Sequence, residues 1–153
     1  MSTASPKHPL QIPLPRAPIA EYRNEVLLVA DDDVQGDIRC DRLGWAHVFQ
    51  TDDLNKRIPL HMDREYVYLH TFEYGPGATK PEARSKLIRD LNEGVSLCNF
   101  VGHGSPFKMT DEGVFLDSDA GTLTNGLKLG VLVAASCDVG KFSDPLVPSL
   151  GER

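Results

Sequence analysis

Two side chains capable of covalent chemistry each follow an apolar run. His103 lies between glycines in Val101-Gly102-His103-Gly104-Ser105, after the segment 95–100 (VSLCNF), and Cys137 ends the run 131–136 (VLVAAS). A thiol attacks a carbonyl well only as its thiolate, and an ordinary pKa of about 8.5 leaves it mostly protonated at neutral pH. A neighbouring imidazole takes that proton and later returns it to a leaving group. Gly102 and Gly104 have no Cβ, so the sequence predicts that a substrate backbone can approach there and that unusual φ values are tolerated. The N–H groups of Gly104 and Cys137 are candidate donors to a developing oxyanion. Such chemistry needs no cofactor. Taken singly, a cysteine at a strand end is most simply core and a loop histidine most simply solvated. The pair gains weight because both fall where an apolar strand ends.

The elements that must position them can be read from the pattern. The run 25–30 (EVLLVA) predicts a buried strand. The stretch 41–58, with Leu43, Ala46, Phe49, Leu54 and Ile58, predicts a helix weakened by Gly44. A second strand is expected over 64–72 and a helix over 79–94. That helix would be capped by Thr79, carry Pro81 in its first turn and end before Gly94, with a stripe of Ala83, Leu87, Ile88 and Leu91. Further strands are expected over 95–101 and 130–136, with a short strand at 112–116 and a helical turn at 119–126. Strands alternating with helices imply a parallel α/β sheet covered on both faces. Ligands of such sheets bind beyond the carboxyl ends of the strands, which would gather His103, Cys137 and the acidic loop after the first strand at one rim.

Spacing excludes several alternatives. A tyrosine-phosphatase loop needs Arg six residues after its Cys, where Ser143 stands; an amidotransferase elbow needs Gly where Ala135 and Val139 stand. A papain-like enzyme has Cys before His. His-then-Cys at successive strand ends is the order of a caspase-like fold. A receiver-like signalling domain stays a lesser alternative, because it would need an Asp at the end of a later central strand and the third strand ends in Phe-Val-Gly-His-Gly.

These segments, with 111–115, 123–145 and 149–152, resemble the catalytic core of the gingipain family of cysteine peptidases, closest to the branch containing the type IX secretion system sortase. The likeness runs from about Asn24 to the end, making 23–153 a partial peptidase domain behind a Pro-rich lead over 1–22. It implies a caspase-like sheet of mainly parallel strands with helices on both faces, incomplete at its C-terminus. It also implies peptide-bond cleavage or transfer, with Cys137 as nucleophile, His103 as base and acid, and a protein or peptide as substrate. Relatives are exported, often to the cell surface, and some bind calcium. They commonly carry Trp where Met109 stands, which marks Met109, with Glu112 and Asp138, as candidate substrate contacts. The competing expectation is an inactive fragment or interaction module that kept the fold.

Asp31, Asp33 and Asp37 of the acidic loop are hard oxygen donors suited to calcium. An EF-hand starting at Asp31 is excluded, because its twelfth position is Arg42. His47, near Trp45, could face the site edge but reads most simply as a solvated helical histidine, and His61 and His70 are scattered. Asp138 and Asp144 flank Cys137, where either could orient His103 or contact substrate but is most simply a surface charge, and Asn125 is ambiguous. Cys98 reads as core, and Cys40 has no assignable role. Three cysteines in 153 residues are no disulfide framework. The net charge of −6 argues against nucleic acid as a partner. No apolar run reaches the length of a membrane span, no signal peptide is visible, and assembly is left open. The ending Pro-Ser-Leu-Gly-Glu-Arg predicts a segment of a longer protein.

Overall fold

The computed structural model describes residues 21–32, 34–35, 38–39 and 45–153. The expected lead over 1–22 lies outside the described residues up to position 20. Glu21–Asn24 form a 3-10 turn whose Tyr22 is already buried, so the packed body begins before position 23.

Four strands make the central sheet: β1 (Glu25–Ala30), β4 (Asp63–Tyr68), β5 (Leu97–Val101) and β9 (Val131–Ala135), in the order β4-β1-β5-β9, all parallel. Two-residue strands β2 (Val34–Gln35) and β3 (Ile38–Arg39) pair antiparallel. Beyond β5, three more short strands form a small antiparallel sheet: β6 (Gly104–Ser105), β7 (Lys108–Met109) and β8 (Phe115–Leu116). The helices are α1 (Ala46–Asn55), α2 (Pro81–Glu93) and α3 (Asp117–Ala120).

The side-chain alternation of β1 sorts its residues between two cores. Leu27 and Val29 face one side with Val67, Cys98 and Phe100, under Ala83 and Leu87 of α2. Val26 and Leu28 face the other with Leu97, Ile58 and Leu54 of α1. Both faces are therefore covered, which is why β1 is continuously apolar from Val26 to Ala30 rather than at alternate positions. Ile88 and Leu91 complete the expected stripe of α2.

Four expectations change. The strand over 64–72 stops at Tyr68, and Leu69–Thr71 tighten into a 3-10 turn. Thr79 does not cap α2; Lys80 holds the cap position, and the Thr79 hydroxyl donates instead to the Pro76 carbonyl (2.9 Å). Residues 41–44 of the first expected helix lie outside the described residues. The buried positions of α1 are Val48 and Thr51, while Phe49 is 68% exposed, because the helix faces the sheet one residue off the expected stripe. Finally, β9 has the composition of a buried strand but pairs only with β5, leaving Val131 61% exposed. Among the described residues no helix is long and apolar enough to cross a membrane.

Candidate active site

The chain leaves β1 for β4 on one side and returns through α2 to β5 on the other. The crevice between the carboxyl ends of β1 and β5 is thus a topological switch point, where α/β sheets bind ligands. Asp31 follows β1 and His103 lies two residues beyond β5. In the parallel pairing of β5 with β9, Val101 stands opposite Ala135, and the Gly102 N–H donates to the Ala135 carbonyl (3.3 Å). Each strand then runs two more residues, to His103 and to Cys137, both exposed at one rim.

The glycines around His103 serve packing. A Cβ at Gly102 would stand 2.5 Å from the Asp31 Cβ and 2.9 Å from the Phe100 ring. One at Gly104 would stand 2.3 Å from the Ser136 Oγ, 2.7 Å from Val139 Cγ2 and 3.0 Å from the Cys137 carbonyl oxygen. Neither has a positive φ. Unusual φ is therefore not why they are glycine: the loops carrying His103 and Cys137 close on each other there. Asp138, next to the thiol, does adopt the left-handed region (φ 53°), turning the chain sharply after the nucleophile position.

Asp31 is the buried hub of this rim. Its N–H donates to the Val101 carbonyl (3.0 Å). Its carboxylate accepts from the His103 N–H (2.9 Å) and the Asp32 N–H (2.8 Å). Burial raises its pKa, partly offset by those two N–H groups. The His103 carbonyl accepts from the Thr110 N–H (2.9 Å), so the loop is held from both ends. The His47 ring meets that of His103 edge to face, centroids 5.1 Å apart.

The two described cysteines separate by environment. Cys137 is exposed, whereas Cys98 is buried in the core, and burial pushes its thiol up to about 12. Cys40 lies outside the described residues. Only the thiolate is nucleophilic, so Cys98 is inert at neutral pH.

Other expected residues are dispersed. Met109 is buried in the core with Phe115 and Leu150 and, with them, lines a cavity between α2 and β9. Glu112 is buried; the Tyr74 hydroxyl lies 3.4 Å from its Oε1. Burial, and then the Asp31 and Asp32 carboxylates, hold the Glu112 pKa above the usual range. Asp138 is exposed beside Cys137. Of the expected calcium donors, Asp33 and Asp37 lie outside the described residues. Asp31 instead stands with Asp32 and Glu112, donor atoms within 4.8 Å of one another. Into that group Lys80 brings its own cation: its Nζ pairs with Asp32, donates to the Leu69 carbonyl (2.7 Å) and lies 4.3 Å from the Tyr74 ring centroid.

Sequence reasoning missed Asp32 and Lys80. One signal was present: a lysine at the amino end of a helix opposes the helix dipole and needs another reason to be there. Nothing in local spacing shows that α1 lays His47 against His103.

A parallel α/β sheet with an exposed thiol and an imidazole at neighbouring strand ends defines the class: a caspase-like fold with a Cys–His rim. The family model of peptidase family C25 matches residues 12–153, and the chain belongs to that family. The fold is similar to the crystal structure of the Arg-specific cysteine proteinase gingipain R, with a TM-score of 0.55 and 22% identity over 86% of this chain. It is equally similar to the complex of the pro- and mature domains of RgpB from Porphyromonas gingivalis, with a TM-score of 0.55 and 22% identity. The chain spans 28% of each of those chains. No curated protein sequence matches it.

Proposed function

We propose that this chain is the dyad-bearing segment of a cysteine peptidase domain that cleaves or transfers peptide bonds. The observation that carries this is the register of β5 with β9, which sets His103 and Cys137 two residues beyond the paired Val101 and Ala135. The His103 imidazole takes the Cys137 proton, and the thiolate attacks the substrate carbonyl carbon, forming a C–S bond. The carbonyl π electrons move to oxygen, where the Gly104 and Cys137 N–H groups are the candidate donors. The oxyanion then collapses, breaking the C–N bond as the imidazolium protonates the departing amine. Water resolves the acyl-enzyme in a protease and an amine does so in a transferase. Asp31 acts as a positioning residue, holding the His103 backbone in place.

Labelling with an electrophilic peptide probe, read by peptide mass spectrometry, tests this. The expected product is a single adduct on Cys137, with labelling slowed about 100-fold or more in His103→Ala. Equal labelling of Cys98 or Cys40 in the folded protein, or an unchanged rate in His103→Ala, rules the dyad out. The gingipain resemblance further supports a protein or peptide substrate and export of the full-length protein to the cell surface; protease accessibility on intact cells checks the latter.

A further inference from the structure

We propose that Asp31, His47 and His103 form a three-ligand site for a borderline-soft divalent cation, zinc above all, whose binding holds the dyad inactive. The cation site stands on geometry alone; its inhibitory consequence rests on the peptidase reading. One donor atom from each of the three residues lies within 4.8 Å of the others. Around a tetrahedral zinc with bonds of about 2.0–2.1 Å, neighbouring donors are separated by about 3.3 Å. The ligands therefore need to close by at most about 1.5 Å, within reach of side-chain rotation without backbone rearrangement.

The donor set points to the class of ion. Two imidazoles and one carboxylate suit zinc, and the all-oxygen shells of calcium and magnesium exclude histidine. The neighbouring Asp31, Asp32 and Glu112 group differs, because Lys80 already supplies its positive charge. The three ligands also stand on fixed supports. His47 sits in the first turn of α1, with its carbonyl accepting from the Thr51 hydroxyl (2.8 Å). Asp31 and His103 are tied together through the His103 N–H (2.9 Å). A carboxylate accepting two N–H bonds retains lone pairs for a metal.

Occupation uses the lone pair with which His103 takes the Cys137 proton. No thiolate then forms by that route, and removing the ion restores it. Three protein ligands leave the fourth zinc position to water. The site thus makes the rim's nucleophilicity a function of free zinc.

The test uses the 153-residue chain with Cys137→Ser, so that the exposed thiol does not itself capture metal. Calorimetric titration with zinc, and the visible bands of bound cobalt, are expected to show one site. His47→Phe, which keeps a ring against His103, is expected to weaken it by more than the about 10–100-fold that outer-shell partners cost. Unchanged affinity in folded His47→Phe overturns the site. Should that variant not fold, the imidazole nitrogen resonances of the Cys137→Ser protein decide: shifts at His47 and His103 on adding zinc support the site, and shifts at His61 or His70 alone overturn it. In the chain with Cys137 intact, zinc is expected to slow probe labelling reversibly; zinc bound at these residues with labelling unaffected overturns the inhibitory role. Failure of Cys137 to label without zinc sinks the peptidase reading alone.

Discussion

Gly104 concentrates the residue-scale argument. Its Cα packs on the loop of Cys137, with no room for a methyl group before the Ser136 hydroxyl, the Val139 side chain or the Cys137 carbonyl gives way. The hydroxyl can rotate aside, but the Cys137 backbone at 3.0 Å cannot. Gly104→Ala is therefore expected to push the nucleophile loop outward. A displacement near 1 Å at a reacting atom costs about 100-fold in rate, so Cys137 labelling should slow by about that factor while the protein remains folded by circular dichroism. Gly102→Ala meets the Asp31 Cβ instead and should disturb His103 through its backbone anchor.

At the scale of elements, α2 and α3 show how a helix is tied to its surroundings. Arg84 of α2 donates to both carboxylate oxygens of Asp119 (3.2 and 2.6 Å), which also accepts from the Leu116 N–H (2.9 Å) at the start of α3. Burial works against the Asp119 charge, but the guanidinium and that N–H outweigh it and hold the carboxyl below its ordinary 3.8. A depressed carboxyl pKa contributes stability that is present above 3.8 and lost as pH falls from there through the folded value. Asp119→Asn should accordingly cost about 1–2 kcal/mol at neutral pH, the worth of a lost cap and charged pair. The difference from the parent should shrink below pH 3.8, as read by urea unfolding at the two pH values. Strand β9 behaves differently: it pairs on one side only, and Val131, Leu132 and Val133 are exposed. An exposed apolar edge invites pairing with other chains. Val131→Lys is expected to lower the oligomeric or aggregated fraction in size-exclusion chromatography.

Across the whole molecule, Lys80 joins parts that are remote in sequence. It is 2% exposed and binds Asp32 after β1 and the Leu69 carbonyl after β4, from the amino end of α2. Removing one partner of such a pair leaves an uncompensated buried charge, at about 3–5 kcal/mol. Lys80→Met should lose that much in urea unfolding, and adding Asp32→Asn should recover most of it, because the remaining group is then neutral. Loss of the pair should also loosen the rim, since Asp32 adjoins the residue that anchors His103.

The alternation of the main strands and helices, the placement of β1, β5 and β9, the core position of Cys98 and the shared rim of His103 and Cys137 were legible in the sequence. They follow from local periodicity and from the single direction of a parallel sheet, and neither requires knowing which side chains touch. The stripe of α1 was misread because its faces differ little in polarity, so packing on β1 and β5 decided which side turns inward. Met109 was marked by its place in a motif, and its burial beside Phe115 and Leu150 is set by the β6-β7-β8 turn, which local pattern did not show. The purpose of Gly102 and Gly104, the cation of Lys80 among three carboxylates and the approach of His47 to His103 arise from contacts between residues remote in sequence. Local pattern carries no information about such contacts. They are set when the crossovers of the chain bring the ends of β1, β5 and β9 together, and only the tertiary structure shows them.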